Sequence, residues 1–97
     1  RAIERMPAAY QVYQGRADAC RVNGRFAWAV ADYDRAIRLA PRLPQLYLNR
    51  GRAYSRLGNI ERAAGDFRLA AQLADKPHLR RQAVEHLEML PVSRKQG

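Results

Sequence analysis

At 97 residues the chain suits one small domain, and 47% apolar residues are enough for a core. Its longest apolar stretches are far too short to cross a bilayer, no signal-peptide pattern opens it, and a single cysteine, Cys20, excludes an internal disulfide framework. The formal charge of +9 passes the crude test for a nucleic-acid binder, but 16 of the 18 basic residues are Arg, dispersed without a block of five or more.

Such a skew can follow codon composition as readily as phosphate binding, so nucleic acid is disfavoured as a partner. In chain order, Arg1-Ala2-Ile3-Glu4-Arg5-Met6-Pro7 lies in phase with Arg35-Ala36-Ile37-Arg38-Leu39-Ala40-Pro41, and residues 1–7 read as the end of a helix. Residues 8–41 then read as a helix, a turn at Gly24 and a second helix closed by Pro41. Residues 42–75 repeat that plan from Pro44, a first-turn proline, with Gly58 in the turn. Asp75 is expected to cap a last helix over 76–90, whose Leu79, Ala83, Leu87 and Leu90 share one face. Arg80, Arg81, Glu85 and Glu88 cover its other side, and residues 91–97 are expected to form a disordered tail.

The two middle segments are copies. Sliding the chain by 34 residues gives ten identities between 8–41 and 42–75: Gln11/Gln45, Tyr13/Tyr47, Arg16/Arg50, Ala19/Ala53, Gly24/Gly58, Ala29/Ala63, Asp32/Asp66, Ala36/Ala70, Leu39/Leu73 and Ala40/Ala74. Small residues at Ala17/Gly51, Ala29/Ala63 and Ala36/Ala70 let paired helices approach, and Tyr13/Tyr47 with Tyr33/Phe67 fill the remaining space. This alternation, with the stretch Tyr47-Leu48-Asn49-Arg50-Gly51-Arg52-Ala53-Tyr54-Ser55-Arg56-Leu57-Gly58, resembles the tetratricopeptide repeat over roughly residues 1–75. The departures are Cys20 opposite Tyr54, Asn23 opposite Leu57, and Asp75 where a Pro is usual. The pentatricopeptide pattern, with its period of about 35, fits less well.

The resemblance implies an all-α solenoid of antiparallel helix pairs with a C-terminal capping helix, acting as a non-catalytic scaffold or adaptor that binds protein or peptide. A chain starting inside a preceding repeat is expected to be a piece of a longer array, and to self-associate through its bare N-terminal end. By the same resemblance the first helix of each unit lines a concave groove. Gln11, Gln14, Asp18 and Arg21 come from the first unit, and Gln45, Leu48, Arg52, Ser55 and Arg56 from the second. Three arginines against one acid, with Leu48 as an apolar spot, favour a peptide rich in Asp or Glu. Some relatives grip a C-terminal carboxylate with a Lys and Asn set. Here only Asn49 matches, Gln14 and Asp18 replacing the key residues, so that clamp is disfavoured.

No other chemistry stands out. His78 and His86 are too far apart along a helix to share a metal, and Cys20 at a core position has no base to activate it, so neither catalysis nor a metal or cofactor is expected. Trp28, opposite Arg62, either anchors a partner or a second copy at an interface or folds down on Pro7. Arg16 and Arg50, where Leu is usual, are expected to pair with Asp32 and Asp66, within a unit or from Asp32 to Arg50.

Overall fold

The computed structural model describes residues 9–91, so the expected helix end at 1–7 and the tail beyond Pro91 lie outside the described residues. Five helices follow one another: α1 (Tyr10–Val22), α2 (Phe26–Leu39), α3 (Pro44–Arg56), α4 (Ile60–Leu73) and α5 (Pro77–Met89). Each packs on the next, and α3 also touches both α1 and α5. The result is the expected all-α solenoid of helix pairs.

Glycine sets both turns within the units. Gly24 and Gly58 have φ of 82° and 83°, the left-handed region that a Cβ disfavours. Each closes a double hydrogen-bonded helix end. Arg25 N–H donates to Cys20 C=O at 2.7 Å and Gly24 N–H to Arg21 C=O at 3.1 Å. Asn59 to Tyr54 and Gly58 to Ser55 repeat this at 2.9 and 3.0 Å. Prolines start α3 and α5 at the first helical turn, where no N–H is required. The expected cap at Asp75 is displaced: Lys76 holds the N-cap position in extended conformation, and no side chain caps the helix. Pro77 explains this, because its ring forces the preceding residue out of the helical region.

The small residues do what their spacing demands. Ala17, Ala29, Ala36, Ala53 and Ala63 are fully buried, and Tyr33 and Phe67 are the bulky side chains they admit. A Cβ on Gly51 would sit 2.7 Å from the Phe67 ring, so the second unit needs glycine there. Cys20, expected in the core, is only half-buried at the edge of the cluster formed by Ala17, Ala29, Tyr33 and Ala53.

Candidate functional site

The Arg and Asp that recur at 34-residue spacing pair within their units. Arg16 forks Asp32 with Nε to Oδ2 at 2.7 Å and Nη2 to Oδ1 at 2.9 Å. Arg50 forks Asp66 at 2.9 and 2.8 Å. The contact between units is made by Asp34, not by Asp32 as one expectation had it: Arg50 Nη1 reaches Asp34 Oδ1 at 2.7 Å, while Arg35 turns back to Asp32 at 2.7 Å. The Arg50 guanidinium also lies 5.7 Å from the ring centroids of both Tyr47 and Tyr54. Its pKa is raised, first by the hydrogen bonds to Asp66, and the Asp32 carboxyl is lowered, first by the hydrogen bond from Arg16. Arg50 links the two units, Arg16 acts within its own, and both are committed to carboxylates.

The residues assigned to the groove divide between its two ends. Gln14 and Gln45 line a cleft of about 330 Å³ beside the start of α5, and Gln11 is exposed. Arg21, Arg52, Ser55 and Arg56 converge on a larger cleft of about 780 Å³ at the opposite end. Asp18 lies between them and is already committed. Its Oδ1 accepts from the Tyr33 hydroxyl and from Asn49 Nδ2 at 3.3 Å, with Arg21 Nη2 at 3.7 Å. Arg21 Nε in turn donates to the Tyr33 hydroxyl at 3.0 Å, and burial above all holds that hydroxyl protonated. Asn49 is buried and its amide is used, which removes the one match to a carboxylate clamp.

Leu48 does not offer an apolar spot. It is 2% exposed, in a core cluster that includes Ala83 of α5. As the central first helix, α3 is flanked on both sides, and Leu48 is covered there, while Arg52, Ser55 and Arg56 of the same row stay open in part.

Arg52 stands apart. It is half-buried and forms no ion pair among the described residues. Its pKa is lowered, first by burial and then by the neighbouring charge of Arg21. Arg56, also without an ion pair there, places its guanidinium 5.3 Å from the Phe26 ring centroid.

Sequence reasoning missed the contribution of α5. His86 and Met89 line the large cleft, with the His86 ring 5.3 Å from Phe67 and its Nδ1 donating to Gln82 C=O at 2.9 Å. The signal was present: carrying the 34-residue register one step further aligns Asp18, Arg52 and His86, and likewise Arg21, Ser55 and Met89. His78 is exposed, and no group of three metal-ligating side chains occurs among the described residues. Trp28 is 69% exposed over a separate cleft with Cys20, Arg16 and Arg35, while Pro7 lies outside the described residues.

Paired helices repeating in a 34-residue register, each packed on the next, define a helical-repeat module. The sequence pattern of the tetratricopeptide repeat matches residues 19–88, α5 included, and the chain belongs to the tetratricopeptide repeat family. Members of that family are generally non-catalytic modules for protein–protein interaction. The chain is also 37% identical over 73 residues to a protein SGT1 homolog of Oryza sativa subsp. japonica, a match covering 75% of this chain and 20% of that protein. The chain thus spans about a fifth of that relative's length. No helix among the described residues is long and apolar enough to cross a membrane.

Proposed function

We propose that this chain acts as a non-catalytic adaptor segment that holds an acidic peptide of a partner protein in its concave groove. The observation that carries this is the convergence of Arg21, Arg52 and Arg56 on one cleft where Arg52 and Arg56 form no ion pair among the described residues. Arginine presents a rigid donor fork that a carboxylate fills, so a peptide Asp or Glu supplies what the site lacks. The glutamines at the other end donate to and accept from an extended backbone.

The test is charge reversal, Arg52→Glu with Arg56→Glu, against Arg80→Glu with Arg81→Glu as a control of equal charge change on the exposed side of α5. Binding of a short fluorescein-labelled Glu-rich peptide is read by anisotropy. Loss in the groove variant alone supports the site. Equal loss in both means that net charge alone acts, and the groove assignment falls. Random RNA titrated across a salt series separates the nucleic-acid alternative, because phosphate contacts impose a steep logarithmic salt dependence.

A further inference from the structure

The large cleft has two kinds of wall. On its floor, Arg21 is oriented by the Tyr33 hydroxyl and shares the charge of Asp18, while Arg52 beside it forms no ion pair among the described residues. Arg56 lines the same cleft and keeps its charge, its guanidinium 5.3 Å from the Phe26 ring centroid. Three cations near one carboxylate leave the cleft positive, which favours an anionic group. The rim is apolar. Val22 is 76% exposed and Met89 82% exposed, and both border this one cleft. Met89 is there because α5 continues the register of Arg21 and Ser55. Large side chains so open to water gain from any apolar group laid on them.

Resting on the acidic-peptide reading above, we propose that the cleft recognises an acid–x–aliphatic signature in an extended partner peptide, its carboxylate between Arg21 and Arg52 and its aliphatic side chain on Val22 and Met89. Residues two apart in an extended chain are the nearest pair that point to the same side, so an acid and an aliphatic group at that spacing face one cleft together. The last helix is then a specificity element as well as a cap, and Met89 is its reading residue.

The experiment uses the whole chain and fluorescein-labelled, acetylated and amidated Gly/Ser peptides carrying a central Glu-Ser-Leu, Glu-Ser-Ser, Gln-Ser-Leu or phosphoserine-Ser-Leu. Glu-Ser-Leu is expected to bind best, with loss of either its Glu or its Leu weakening binding about fivefold. Met89→Ser, at a position open to solvent, should weaken Glu-Ser-Leu most of the way to the level of Glu-Ser-Ser, with Val22 retaining the rest, and should weaken Glu-Ser-Ser far less, with an unaltered melting curve. Equal affinity for Glu-Ser-Leu and Glu-Ser-Ser, or indifference to Met89→Ser, overturns the signature while leaving the acidic-peptide reading intact. Tighter binding of the phosphoserine peptide than of Glu-Ser-Leu overturns the carboxylate as the acid that the cleft reads. Binding that is equal for Glu and Gln peptides, and unaffected by reversal of Arg52 and Arg56, removes the acidic-peptide reading as well.

Discussion

Arg16 and Arg50 hold equivalent positions, yet replacing each with Met should have very different consequences. Arg50 is 20% exposed, forks Asp66 whose side chain is 7% exposed, and reaches Asp34 in the preceding unit. Removing its guanidinium strands the buried Asp66 carboxylate and frees Asp34, which is 39% exposed and returns to water at little cost. Breaking a buried pair from one side costs about 3–5 kcal/mol, and the partial exposure of Arg50 puts this case at the low end, about 3 kcal/mol. For a domain of this size that is a fall in Tm of roughly 12–24 °C. Arg16 is 59% exposed, and Asp32 keeps Arg35 at 2.7 Å when it is removed, so Arg16→Met should melt within the scatter of repeated wild-type scans. Thermal unfolding by circular dichroism of the two variants, with urea midpoints as a check, measures both. Equal shifts would refute the idea that burial and the cross-unit contact distinguish the two forks. The pair Arg50→Met with Asp66→Asn should then recover part of the loss, because the stranded charge is gone.

Four further expectations follow from packing and charge. Gly51→Ala should destabilise by about 1 kcal/mol in a urea titration, overpacking against the Phe67 ring outweighing the helix-propensity gain. Gly65→Ala, with nothing within 4 Å of the added carbon, should instead stabilise by up to about 1 kcal/mol. Ala63→Leu, at a fully buried site, should lose about 1–3 kcal/mol in the same assay. Because Asp32 is lowered from its ordinary 3.8, its contribution is full above that pH and is lost as pH falls through the lower folded value. Tm measured from about pH 5 down to pH 2 should therefore fall less steeply in Asp32→Asn than in wild type, and parallel slopes would dismiss the linkage.

What the sequence revealed best is what recurs. Ala, Gly and aromatic residues at 34-residue spacing mark the helix contacts that recur in each unit, and Arg16 with Asp32 and Arg50 with Asp66 recur as forked pairs. What it concealed does not recur. Asp34 stands where the next unit has Arg68, so no register pointed to it as the partner of Arg50. Leu48 is buried because α3 is flanked on both sides, a fact of stacking that the helix's own pattern does not carry. The role of Asp18 was hidden for a similar reason: the groups that engage it, Tyr33 and Asn49, lie 15 and 31 residues away on two other helices. Met89 and His86 were passed over because the last helix looks finished on its charged side, although its other side keeps the repeat's phase.

The uncompensated Arg52 gives the module a mechanical property. Its charge lies between two first helices, α1 and α3, and is repelled by Arg21 across their contact. That repulsion falls at the seam where Asn49 and Asp18 tie the two units together. On the acidic-peptide proposal, a carboxylate placed between Arg21 and Arg52 would cancel it and brace the seam. Binding should raise the melting temperature with the logarithm of peptide concentration above Kd, and more at low ionic strength than at high. On that proposal the two units would be held together most firmly with peptide bound, so the partner would act as a part of the fold it sits on.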